Sequence, residues 1–170
     1  GDKRDGAGGS LLGIDPAQEE KFSGISKFVV RGSYLTSLDQ DSVLIGKNLL
    51  YEFTPIEAPG FQTLKNISVG SRVKVTAGDS SKEYFVKGII KSKVDEFDTS
   101  VVALDSEVRK LLGRDDLNAG TIAIQLDEGV DPVQAKNFLL ASGVVEYERI
   151  QTAEDTFPKF LKDIKATFAI

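Results

Sequence analysis

Apolar and polar positions are most regularly arranged in the middle of the chain. Val43-Leu44-Ile45 reads as a buried strand that breaks at Gly46 into a short helix carrying Leu49, Leu50 and Phe53. Val73 and Val75 then alternate with Arg72, Lys74 and Thr76, which predicts a strand with one wet face. Ala77 to Ser81, with Gly78 and Asp79, supply a turn, and Tyr84 to Ile90 return as the partner strand of a hairpin.

Upstream of this block, Leu11 to Ile14 predicts a strand. Asp15-Pro16 opens a helix, with Asp15 as its N-cap, Pro16 in the first helical position and Gln18 placed for a capping box; that helix ends by Gly24. Phe28 to Leu35 is extended or turn-rich, and Leu38 to Ser42 is a loop. Downstream, Pro55, Pro59 and Gly60 exclude helix and central strand from Thr54 to Leu64. Lys91 to Thr99 is a charged connection, and Ser100 to Leu104 predicts a further strand. Asp105 or Ser106 caps a short helix with Val108, Leu111 and Leu112 on one face, ending at Gly113.

After a loop from Arg114 to Gly120 the rhythm becomes strand, helix, strand. Thr121 to Leu126 is the first strand, Asp131-Pro132 opens a helix carrying Val133, Phe138 and Leu139, Gly143 stops it, and Val144 to Ile150 is the second strand. This unit predicts an open sheet layered with helices. At the end, Phe157, Leu161, Ile164 and Phe168 form one apolar stripe with Lys159, Lys162, Asp163 and Lys165 off it. We read a core-packed helix that leads the chain toward a membrane; a helix lying on a membrane surface is the alternative.

At 170 residues the chain makes one domain or two small subdomains sharing a core. With 26 acidic against 21 scattered basic residues, a nucleic-acid partner is not expected. The absence of cysteine removes disulfides, thiolate nucleophiles and cysteine metal sites, and the absence of histidine removes the commonest general base and metal ligand. No apolar run approaches the roughly 18 residues that cross a bilayer. The polar, Gly-rich stretch from Gly1 to Ser10 reads as a flexible lead-in, and its glycines lack dinucleotide-loop spacing.

Three acidic clusters, Asp95-Glu96-Asp98, Asp115-Asp116 and Asp127-Glu128-Asp131, fall in expected loops; they read as solvated charge, with a weak calcium site as the alternative. A carboxylate-pair hydrolase would require two of them to converge in one cleft. Gly46-Lys47-Asn48 lacks both the upstream glycine and the hydroxyl of a nucleotide loop. Ser71-Arg72-Val73-Lys74 has the spacing of an acylating Ser-x-x-Lys but sits at the mouth of a strand rather than of a helix. Asn66-Ile67-Ser68 is a glycosylation sequon. We therefore expect no catalytic, cofactor-binding or metal-binding residues and no bound cofactor.

Several of these segments, in this order and spacing, resemble the extracytoplasmic domain of MacB-, LolC- and FtsX-type ABC transporter permeases. Gly13-Ile14-Asp15-Pro16 resembles the family's Gly-Val-Asp-Pro segment, and Val29 to Leu35 its Gly-Arg-X-Leu segment. The strand ending at Gly46, the Val69-Gly70-Ser71 turn into a strand, and the return through Val86-Lys87-Gly88-Ile89 complete the likeness. The resemblance implies an α+β fold in two parts: a layered porter-like part from residues 11–42 and 115–170, and an inserted strand-rich sabre-like part from residues 43–114. It also implies a non-catalytic role on the extracytoplasmic side of a cell membrane, in which ATP-driven motion of membrane helices is passed to a substrate or partner. The partners it implies are a second permease copy, a cytoplasmic ATPase and an extracytoplasmic protein. The chain reads as a piece excised between membrane helices. Lipoprotein release, toxin or peptide efflux and control of a cell-wall hydrolase all stay open as the task. A freestanding secreted module that binds a ligand or calcium is the reading from another class.

Overall fold

Strand β1 (Ser10–Ile14) runs straight into helix α1 (Pro16–Ser23) because Asp15 caps it: its carboxylate accepts the amides of Ala17 at 2.9 Å and Gln18 at 3.1 Å. The chain divides into two units, residues 1–118 and 119–170. The computed structural model describes residues 6–56, 58, 62–116, 124, 126–143 and 150–152.

The first unit is a mixed α+β body around one six-stranded sheet, completed by β2 (Val29–Gly32), β3 (Ser42–Gly46), β4 (Arg72–Ala77), β5 (Ser80–Ile90) and β6 (Ser100–Leu104). The strand order is β1-β6-β3-β5-β2, and β4 also pairs with β5. β1 with β6 and β3 with β5 are parallel; β3 with β6 and both remaining partners of β5 are antiparallel. Phe85 pairs with Ser42 and with Arg72, so β4 lies on the side of β5 opposite β3, in line with β2.

Both sheet faces are covered, which explains the unbroken apolar run of β3. Val43 and Ile45 join Leu49, Leu50, Val73, Tyr84, Val86, Ile89, Ala103 and Val108 in one cluster. Leu44 joins Ile14, Ile25, Leu35, Ile90 and Val102 in the other. Short helix α2 (Asp95–Asp98) precedes β6, and α3 (Asp105–Leu111) follows it, burying Val108 and Leu111.

Several expectations shift in detail. The helix expected to reach Phe53 is a single 3-10 turn, Lys47–Leu49, because Leu50 leaves it with extended backbone and bridges to Leu64. The charged connection 91–99 contains α2. Neither Asp105 nor Ser106 caps α3: the cap position is Leu104, and Asp105, inside the first turn, binds Arg109 at 2.9 Å instead. Leu112 lies past the helix end and is exposed. Ala7 packs against the larger cluster, and Ser10 belongs to β1, so the lead-in touches the core earlier than its composition suggests. Strands from 11–42 and 43–114 share one sheet, with β3 running across residues 42 and 43.

Within the second unit, helix α4 (Pro132–Ala141) starts as expected at Asp131, whose carboxylate accepts the amide of Val133 at 2.8 Å. Its Val133 and Phe138 are exposed. The strands expected at 121–126 and 144–150 lie outside the described residues apart from Ile124, Leu126 and Ile150, and the helix expected at 156–168 lies wholly outside them.

Gly46 is required for steric reasons. A Cβ there would stand 2.3 Å from the carbonyl oxygen of Phe97 and 2.4 Å from that of Asp98, both backbone atoms that cannot swing aside. At the β4–β5 turn, Gly78 has open space around it but a φ of 59°, so a side chain there meets only backbone strain. Gly46→Ala is expected to cost about 2–4 kcal/mol and Gly78→Ala about 1 kcal/mol. Urea unfolding midpoints of the two variants against the parent chain check the ranking; equal losses would mean that the β3–α2 contact is looser than it stands.

Candidate functional site

The most concentrated polar chemistry of the first unit lies where three carboxylates turn away from solvent around β3 and β5. The first is Asp98, the last residue of α2 and fully buried. Its Oδ1 accepts the Ser92 amide at 2.7 Å and the Ser92 hydroxyl at 3.0 Å. Its Oδ2 accepts the Lys93 amide at 3.0 Å and lies 3.2 Å from Lys47 Nζ. Burial pushes this carboxyl up, but the Ser92 amide and hydroxyl, Lys47 and the Lys93 amide outweigh it and hold the group below the usual carboxylate range. Lys93 takes a φ of 68° to bring its amide to the carboxylate.

Glu107, buried on α3, is the second. Lys82 of β5 donates to its Oε2 at 2.5 Å and Lys110 to its Oε1 at 2.7 Å, while Lys82 also reaches Asp41 at 2.9 Å. Burial raises the Glu107 carboxyl, and the Lys110 and Lys82 bonds reverse that and lower it. Lys82, bonded first to Glu107 and then to Asp41, is held more strongly protonated than a free lysine. Its ammonium also lies 5.0 Å from the ring of buried Tyr84, whose phenol burial keeps neutral.

Asp39 is the third. It accepts the amide of Thr36 at 2.7 Å and its hydroxyl at 2.6 Å, and Lys87 of β5 at 2.5 Å. Burial raises its carboxyl as well, and Lys87 and Thr36 bring it below the ordinary range. All three acids are therefore held ionised by donors, the state of a structural anchor rather than of a proton donor poised near neutrality.

Away from these acids, a shallow groove of about 350 Å³ is lined by Leu50, Tyr51, Glu52, Leu64, Lys65, Asn66 and Ile67, none of which belongs to the three clusters. It adjoins the turn at residues 51–53, where Lys65 sits over the Tyr51 ring at 5.2 Å, and Arg31 and Lys91 approach the Phe53 ring at 5.5 and 5.9 Å.

The three acidic clusters separate in character. Asp95 and Glu96 are exposed, whereas Asp98 is the buried anchor, so the loop expected there is a helix with one inward acid. Arg114 pairs with Asp116 at 3.0 Å, and Asp131 caps α4. Among the described residues, no three acidic side chains stand together as metal ligands. Lys47 of Gly46-Lys47-Asn48 is spent on Asp98. Ser71 of the Ser-x-x-Lys spacing accepts the Ser68 amide at 3.0 Å at the strand mouth.

Asp98 falls in a cluster that reads in sequence as solvated charge, Glu107 and Asp39 are not singled out there, and only the Lys82–Glu107 pair carried a signal. Lys82 shares strand parity with buried Tyr84 and Val86, and Glu107 lies four residues before buried Leu111, so both had to face inward and needed each other. Nothing in the local pattern separates Asp98 from its exposed neighbours. No protein-family model matches the chain, and no characterised protein matches it in sequence.

Because the three carboxyls titrate lower when folded, the unfolded chain takes up protons first as pH falls. Their stabilisation is complete above the ordinary carboxylate range and is lost as pH drops through the lower, folded values. Melting temperature is expected to hold from about pH 7 to about pH 5 and to fall steadily below about pH 4. Asp98→Asn should flatten that acid limb, while Asp98→Ala, which strands two amides and an ammonium, should cost about 3 kcal/mol at neutral pH. Circular dichroism melts across this range check both; an acid limb unchanged in Asp98→Asn would remove Asp98 from the account.

Proposed function

We propose that this chain is the extracytoplasmic domain of an ABC transporter permease of the MacB, LolC and FtsX type, and that it passes force rather than carrying out chemistry. The observation behind this reading is the order of resembling segments from Gly13 to Ile90. Gly13–Pro16 joins β1 to α1, Val29 to Leu35 contains β2, Val43 to Gly46 lies in β3, and Val69 to Ile90 contains the β4–β5 hairpin. They are successive pieces of one sheet.

In this reading, residues 11–42 with 115–170 are the porter-like part and 43–114 the sabre-like part. Residues 11–42 and 43–114 are hydrogen-bonded into a common sheet, so a displacement of one is felt by the other without an intervening hinge. ATP is hydrolysed by a cytoplasmic subunit or domain that never meets this chain, a second permease copy stands beside it, and a substrate or extracytoplasmic partner receives the motion. The Lys82–Glu107 ion pair between β5 and α3 suits that task, because pulling Lys82 away leaves the buried Glu107 carboxylate less compensated and so resists local yielding.

The full-length parent protein, with an epitope inserted between Gly78 and Asp79 at the exposed hairpin tip, tests this directly. Integral-membrane fractionation with the tag open to protease from outside the cell is expected. A soluble, released product would overturn the reading and favour a freestanding secreted binding module.

A further inference from the structure

Strand β4 pairs only with β5, and its register shows which of its backbone groups that pairing leaves unused. Val86 donates its amide to the Ser71 carbonyl at 2.9 Å, which makes that pair a hydrogen-bonded one. In an antiparallel ladder such pairs recur at every second residue, here Val73 with Tyr84, Val75 with Lys82 and Ala77 with Ser80. The amides and carbonyls of Arg72, Lys74 and Thr76 therefore point away from β5. Among the described residues none of them finds another backbone partner, and all three residues are exposed. A row of outward amides and carbonyls is a template to which an extended chain adds.

The side chains decide which chain fits. Arg72 and Lys74 stand on one face of β4, two residues and so roughly 7 Å apart. Neither forms an ion pair among the described residues: Arg72 lies 5.0 Å over the exposed ring of Phe85, and Lys74 faces Glu83 across the ladder without reaching it. On the opposite face Val73 belongs to the larger apolar cluster and half-buried Val75 packs against it. A second copy offering its own β4 would set Arg72 and Lys74 against the same cations, and like charges directly opposite are unfavourable. The charges that turn away a copy of this chain select an acidic strand.

We infer that the free edge of β4 is a docking site for an extended acidic segment of a partner protein, which adds as a further antiparallel strand. Its backbone bonds to that of Arg72, Lys74 and Thr76. Carboxylates at alternate positions stand opposite Arg72 and Lys74, and the apolar residues between them continue the face of Val73 and Val75. The site depends on β4 alone, whatever larger protein carries the chain.

The probe is a short fluorescein-labelled peptide of alternating glutamate and valine, titrated with the full chain at low salt and followed by anisotropy. Saturable binding tighter than about 1 mM is expected, as for a single added strand. Lys74→Glu should weaken it about tenfold or more, while Lys21→Glu, the same charge change on exposed α1, should leave it within about twofold. The same peptide N-methylated at its glutamate amides keeps every charge but loses the donors that face β4, and should not bind. Lys74→Pro should not bind either, because the amide it removes faces outward and the ladder to β5 is kept. In hydrogen exchange the amides of Arg72, Lys74 and Thr76 should be fast in the free chain and slow about tenfold or more with peptide, while that of Val75 is protected throughout. Melting curves show that each variant is folded. Absence of binding, equal loss in Lys74→Glu and Lys21→Glu, undiminished binding by the N-methylated peptide or by Lys74→Pro, or slow exchange of the three outward amides in the free chain would each overturn the assignment.

Discussion

Strand β5 constrains everything around it. Buried backbone amides and carbonyls must be paired, and an eleven-residue strand through the middle of a sheet presents them on both sides. β3 takes one side, and β4 and β2 share the other in succession, so β5 sets the register of three strands at once. A slip of one residue would turn Tyr84 and Val86 out of the core and carry Lys82 away from Glu107. Register is thus pinned by apolar burial on one hand and by an ion pair to buried Glu107 on the other, two forces with different dependence on pH and salt.

A bulge refines that arrangement. Against β3, Val86 pairs with Val43 and Gly88 with Leu44, so Lys87 has no opposite number. The extra residue reverses the parity of the strand: Tyr84 and Val86 share a cluster with Ile89, three residues on, while Ile90 lies in the other cluster. It also frees Lys87 to reach Asp39, and its carbonyl accepts the amide of Ser33 at 3.1 Å. One irregular residue therefore fixes the loop before β3 and the chain after β2.

This separates what could be read along the chain from what could not. Elements whose cause is local were legible: Asp15 and Asp131 as caps, the β4–β5 alternation, the buried run of β3 and the bounds of β6 all follow from residues adjacent in sequence. The parity change at Lys87 was not, because it depends on a strand some forty residues earlier. Gly46 was read as a strand end, while its deeper reason is a backbone that arrives from Phe97 and Asp98. Asp98 looks like any acid in a charged stretch until Ser92, Lys93 and Lys47 are assembled around it. Local capping is a property of a few consecutive residues, whereas buried charge is a property of the whole fold.

The Gly46 contact and the Asp98 anchor are two sides of one junction. Removing side-chain volume at Gly46 lets the α2 backbone close onto β3, and that closeness puts the Asp98 carboxylate within reach of Lys47, the next residue. The chain then passes through Leu49 and Leu50, both in the core, and emerges at the 51–53 turn. Backbone hydrogen bonds tie that turn to the core: Leu64 donates to Leu49 at 2.7 Å and Tyr51 to Leu64 at 3.0 Å. The turn is thus joined to β3, and β3 through its parallel ladder to β5, by hydrogen bonds and close packing.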